Sequence, residues 1–272
     1  MLQLISHADD LGLHPEVTAG IHQAVTAGGL SELSVIVTPP SSQAIVTDPT
    51  IPASLPRGLH LNLTEGRPIS DPTTIASLVS RTGQFLGLTG FLLKLWTGGV
   101  RADQMARELR AQVATYSDWF GHLPPHLDSH HHIHCYHPVR ETVRTIADER
   151  AIPTVRLAKR LMLPPLAPLR ARLIAHATSR LSCTGWSDRP MLTGLIDPRW
   201  LPQPTLAGTF RCLPPGTYEC IWHLTDGPSF PWRAPQLPML EACPWKELET
   251  TNVLTLTTYD ALWQASLASR PQ

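Results

Sequence analysis

The sequence predicts a (β/α) barrel, closed or nearly closed, of the α/β class. Three observations predict it. Short apolar runs alternate with amphipathic stretches from one end of the chain to the other. Asp or His residues follow several of these runs. The units are too many and too evenly spread for two independent domains, so one domain is expected over 1–272. Strands alternating with helices give βα units and a parallel sheet, and such a barrel displays its chemistry at the C-terminal ends of its strands. The alternative is an open doubly wound sheet; no Gly-rich phosphate loop follows the first strand, which argues against nucleotide binding.

The elements follow in order. Residues 2–6 are an apolar run read as a buried strand. In "HPEVTAGIHQAVTAGG", Val17, Ile21 and Val25 recur every fourth residue, Pro15 stands near the start, and Gly28 and Gly29 close the stretch. That is a helix with its start and stop signals. "ELSVIVTPP" is a second strand, ended by Pro39 and Pro40, and "GLHLNLTEG" (58–66) is a third. "ADQMARELRAQVATYSDWFG" is a helix with Met105, Leu109, Val113 and Tyr116 on one face. "PHLDSHHHIH" reads as a strand and its exit loop, "PVRETVRTIADER" as a helix, "IPTVRL" as a strand and "TYECIWHL" as a late strand. "NVLTL" and "TTYDALWQASLA" add a further strand and helix.

Composition excludes several classes. Apolar residues make up 42% and charged residues 16%, the pattern of a folded globular chain. Lys+Arg and Asp+Glu both count 22, so no excess of positive charge points to nucleic acid or an anionic membrane. Five cysteines, none in a CxxC pair, read as reduced thiols. No signal-peptide pattern and no apolar run of ~18 residues is visible, so the expected setting is cytoplasmic, with no transmembrane segment.

One stretch stands apart. Residues 154–187 hold Arg156, Lys159, Arg160, Arg170, Arg172 and Arg180 and no Asp or Glu. Its plain reading is a basic, solvated face over a core helix. Its sharper reading is a Leu/Pro-rich excursion at about 158–187 that serves as a lid or a homodimer contact.

The chemistry lies at the strand ends. Asp9 and Asp10 sit side by side after the first strand, a costly arrangement unless something positive separates them. His60 lies in the third strand, His130 in the mid-chain strand, and His223 at the end of the late one. Asp10, His60 and His130 make a two-His, one-carboxylate set suited to zinc or another divalent ion. The second carboxylate, Asp9, can then take a proton from water. Taken singly, each residue has a plainer reading, as a helix cap or a hydrogen-bonded core histidine. Their joint placement on one barrel rim favours the metal.

These residues carry a family resemblance. "HADDLG" (7–12), "GLHLNLTEGRP", "HLDSHHHIH" (126–134) and "YECIWHL" are similar, in order, to the motifs of the YdjC-like carbohydrate deacetylases, the family of chitooligosaccharide deacetylase. His7 stands where the family pattern has Asn, and Leu224 where it has Pro. The resemblance implies a barrel of the glycoside hydrolase/deacetylase type. It implies one divalent ion, Mg2+ or Zn2+, on Asp10, His60 and His130, with Asp9 as general base and His223 as general acid. Asp128, and His7 beside Asp9, would stand behind these groups. The implied reaction removes acetyl from an N-acetylated amino sugar, in an oligosaccharide or a conjugate, and releases acetate. Trp186, Trp200, Trp232 and Arg156 are the candidates for touching the substrate. The alternatives are another metal-dependent hydrolase on the same barrel, acting on a phosphoester or a non-sugar amide, and a non-catalytic metal-binding barrel.

Overall fold

The computed structural model describes residues 2–162, 186, 188–200 and 206–269. Most of the basic stretch, including Arg170, Arg172 and Arg180, lies outside the described residues. The lid or dimer contact expected there lies outside them too.

The α/β barrel expectation holds. Among the described residues nine strands form one sheet, and every pairing between them is parallel. They are β1 (Leu2–Leu11), β2 (Glu32–Val35), β3 (Arg57–Leu61), β4 (His126–Ser129), β5 (Thr154–Val155), β6 (Leu161–Met162), β7 (Gly194–Ile196), β8 (Gly216–Trp222) and β9 (Leu254–Leu256). The order is β5-β4-β3-β2-β1-β8-β7-β6, with β9 also on β1.

The two ends of that order are neighbours in the chain. Arg156 N donates to Leu127 O at 2.8 Å, tying the segment to β4, while Leu195 N donates to Arg160 O at 2.9 Å, tying it to β7. The sheet therefore curls back toward itself through residues 154–162. The excursion expected from about 158 instead starts as sheet, because Ala158 bridges to Leu192 and β6 pairs with β7.

β1 is the central strand. β8 pairs with it from Leu2 to Ala8. On the opposite edge, β9 pairs at Leu2–Leu4 and β2 at His7–Leu11. Only Gln3 of its ten residues is exposed. A strand covered this fully reads as a continuous apolar run, and β1 does so until the polar residues that form the site.

The helices follow their signals. α1 (Pro15–Ala27) starts with Pro15 in its first turn, takes a cap from His14, whose side chain accepts from Glu16 N, and ends at Gly28. α2 (Gly87–Trp96) lies in the long connection between β3 and β4. α3 (Ala102–Phe120) buries Met105, Leu109, Val113 and Tyr116 and ends at Gly121 in the left-handed conformation (φ 74°) that favours glycine. Each such buried side chain contributes about 1.5–3 kcal/mol relative to exposure. α4 (Val139–Glu149) is the helix expected from "PVRETVRTIADER".

Gly58 on β3 shows how tightly the interior is packed. A Cβ there would lie 2.1 Å from the His126 ring. Among the described residues no helix is long and apolar enough to cross a membrane.

Candidate metal centre

The ends of β1, β3, β4 and β8 bring the candidate residues to one place. Asp10 leaves β1 with a positive φ of 69°, which turns its carboxylate away from that of Asp9. The two neighbouring acids therefore face different partners. Asp10 Oδ1 lies 2.7 Å from His130 Nδ1 and 3.1 Å from His60 Nε2, and its Oδ2 accepts from Arg233 Nη2 at 2.6 Å. Asp9 accepts from Arg156 at both oxygens, at 2.6 and 2.9 Å, and lies 2.9 Å from His7 Nδ1. Both acids are almost fully buried.

Positive neighbours overcome the cost of that burial. Desolvation alone would raise both carboxyls. Arg156 and His60 nevertheless hold Asp9 well below the usual carboxylate range, and His130 and Arg233 do the same for Asp10. Both acids are anions at neutral pH.

The donor set fits a metal. Asp10, His60 and His130 each offer one donor atom within 4.8 Å of the others. Two imidazoles and a carboxylate suit zinc and other divalent ions. The far nitrogen of each ring is held, as ligating histidines require. His60 Nδ1 is 2.8 Å from Asp128 Oδ1 and 2.9 Å from Ser34 Oγ, while His130 Nε2 is 3.0 Å from Glu65 Oε2. Asp128 thus sits behind His60, and Ser34 Oγ also donates to it at 2.9 Å.

His223 stands at the far side. Its Nε2 is 3.9 Å from Asp9 Oδ2, its backbone N–H donates to Gln236 Oε1, and its Nδ1 has no hydrogen-bond partner among the described residues. Burial and the nearby Arg199 push its imidazole well below the ordinary histidine value, so the ring is neutral at rest. A cavity of about 820 Å³ opens over these groups, lined among others by Asp9, Asp10, His130, His223, Trp200 and Trp232.

The remaining candidates divide. Trp200 and Trp232 line the cavity, and Trp232 has Arg199 and Arg233 each 4.7 Å from its ring centre. Trp186 does not line it; the ring is buried, with Arg144 and Arg189 against it. Arg156 lies beneath the floor and not on it, bound to Asp9, Asp128 and Glu219. Its reach for substrate is spent on three carboxylates. His7 does stand beside Asp9, and its other nitrogen meets His126 Nε2 at 3.1 Å.

Sequence reasoning missed Glu65, Arg233, Ser34 and Glu219. Glu65 follows the third strand within "LTEG", a position of the same kind as those that singled out Asp9 and His223. Arg233 lies in a Pro-rich loop with no periodic signal.

Comparisons with known proteins identify the family. A family model described as "YdjC-like protein" matches residues 3–225. The chain is 33% identical over 156 residues to a carbohydrate deacetylase of Danio rerio, covering 57% of this chain and 50% of that one. It is 32% identical over 154 residues to a chitooligosaccharide deacetylase of Serratia marcescens, covering 55% and 57%. The matched region thus spans about half the length of these curated relatives. In fold, it resembles the crystal structure of a proposed cellobiose-phosphate cleavage protein from Enterococcus faecalis V583, with a TM-score of 0.70, 20% identity and coverage of 96% and 98%.

Proposed function

The chain belongs to the YdjC-like family, and from that premise we propose that it is a metal-dependent hydrolase that removes the acetyl group from an N-acetylated amino sugar. One observation carries the reading. Asp10 and His130 line the cavity, with His60 buried against Asp10 and its donor atom within 4.8 Å of theirs, and an ionised Asp9 and a neutral His223 stand beside them.

A divalent cation on Asp10, His60 and His130 supplies Lewis acidity toward an amide carbonyl and makes water acidic enough to lose a proton near neutrality. This chain's residues do the rest. Asp10 and the two imidazoles form an open set that leaves room for water and substrate. Asp9, fixed by Arg156 and His7, accepts the proton of the attacking water. The departing amine needs a proton, and the one Asp9 has taken is available to it. His223 lies 3.9 Å from Asp9 and is unprotonated at rest, so it can receive that proton and hand it on. Acetate and a free amino sugar result, with atoms and protons balanced. Trp200 and Trp232 present apolar surface to the sugar at the cavity wall.

The test is acetate release from a panel of N-acetylated sugars, free, oligomeric and conjugated, with Zn2+ or Mg2+ added back to metal-stripped protein. Metal-dependent acetate release supports the proposal. Release of phosphate from sugar phosphates, with no acetate from any member of the panel, overturns it.

A further inference from the structure

Four groups of His, Asp and Glu in the described residues bring three donor atoms within 4.8 Å of one another. Two of them, Asp9/His60/Asp128 and His7/His126/Asp128, already hold a cation. Arg156 Nη2 lies 2.6 Å from Asp9 Oδ1, 2.8 Å from Asp128 Oδ2 and 2.8 Å from His7 Nδ1. A metal there would have to displace a buried guanidinium. The third group is the centre described above. The fourth, Glu65/His130/His131, is assigned to nothing.

This fourth group shares His130 with the third but uses the other side of the ring. His130 Nδ1 faces Asp10, while Nε2 faces Glu65 Oε2 at 3.0 Å. The His131 ring lies 3.9 Å from that of His130, centre to centre, and its Nδ1 is held by Thr64 Oγ1 at 2.9 Å. A second residue that orients the ring in this way is what ligating histidines have. The backbone is also unusual here. His131 and His132 have φ of 57° and 52°, in the left-handed region that few non-glycine residues occupy. Such conformations persist only where the surroundings enforce them, and they gather at functional sites. The turn places His131 on the wall of the same cavity, beside Glu65.

We propose that Glu65, His130 and His131 form a second divalent-cation site at the mouth of the cavity, bridged to the first by the His130 imidazole. It rests on the reading of Asp10, His60 and His130 as the first site. At rest Glu65 accepts the proton on His130 Nε2; the second cation takes that proton's place, and the proton leaves to solvent. Filling both nitrogens of one ring brings two cations close together, so the second binds more weakly than the first. Glu65 is half exposed, which keeps this site in exchange with solvent.

The test is titration of metal-free, full-length protein with Zn2+ alone, followed by calorimetry and by elemental analysis after dialysis. Wild type binds two equivalents, one tight and one weaker. The double variant Glu65→Gln, His131→Asn binds one; the tight step remains, weakened by the loss of the carboxylate behind His130. Asn suits the left-handed backbone at position 131, and circular dichroism checks that the variant is folded. A single equivalent in wild type, or two equivalents in the double variant, overturns the proposal. Asp10→Asn tests the first site separately: it removes the tight step and leaves the weak one. If the tight step survives Asp10→Asn, the reading of the first site is wrong; the second site then stands or falls with the Glu65 and His131 variants.

Discussion

His60 and Asp128 are joined through Nδ1 and Oδ1 at 2.8 Å, and this contact turns His60 Nε2 toward Asp10. The pairing crosses from β3 to β4, where His60 and Asp128 are register partners. A carboxylate behind an imidazole fixes the ring and its tautomer and raises its basicity.

Asp128→Asn is therefore expected to weaken divalent-metal binding about 10–100-fold with Asp10, His60 and His130 all intact. Competition with a chelating dye measures it. Unchanged affinity would show that Ser34 alone suffices to hold His60.

Asp9→Asn should abolish turnover and leave metal binding largely in place, since Asp9 is hydrogen-bonded to Arg156 and His7, whereas Asp10 is the acid in contact with both His60 and His130. Asp10→Asn should lose turnover and the tightly bound ion. Parallel metal counts and acetate assays separate the two acids, and equal metal loss in both variants would sink this division of roles.

Arg156→Met should destabilise the fold by roughly 3–5 kcal/mol, the cost of breaking a buried ionic cluster from one side. It leaves Asp9, Asp128 and Glu219 without their shared cation, deep in the barrel. Urea denaturation measures the change; a variant as stable as wild type contradicts the account.

Metal-free protein should lose stability as pH rises above neutrality. Burial disfavours a charged His60, but Asp128, Asp9 and the contact with Asp10 lift it from 6.5 to about 10. A raised basic group stabilises fully below its unfolded value, near 6.5, and that contribution fades as pH climbs through about 10. Asp9 and Asp10 act at the other end. Their lowered values give stability above the ordinary carboxylate range, and acid removes it as pH falls through them. Metal binds the neutral imidazole, so Zn2+ should flatten the alkaline limb. Melting temperatures of both forms from pH 6 to 10 check this; equal slopes would contradict it.

Much of this arrangement was legible along the chain. The run that became β1, the four-residue spacing of α1 and the Gly121 stop of α3 each rest on neighbours in sequence, which is where local patterns carry information. Asp10, His60 and His130 were legible as strand-end residues, because a parallel barrel collects its strand ends on one rim. Arg156 was not. In sequence it joins a basic run that reads as a solvated face, and only the carboxylates arriving from β1, β4 and β8 draw it inside. Trp186 looked like a loop aromatic for the same reason: what buries it comes from elsewhere in the chain. The left-handed turn at His131 and His132 has no local signature. It is imposed by the geometry between β4 and α4.

The pairing of β1 with β8 sets a timetable for biosynthesis. Trp222 Nε1 donates to Ser6 Oγ across 216 residues of chain. At roughly 5–20 residues per second, a ribosome takes on the order of 10–40 seconds to travel from one to the other. For most of that interval β1 waits with the backbone edge that β8 will pair uncovered, and its two adjacent carboxylates wait first for Arg156. The nascent chain thus carries Asp9 and Asp10 long before it carries the groups that neutralise and enclose them, and a chaperone that shields β1 during translation would bear directly on the yield of folded protein.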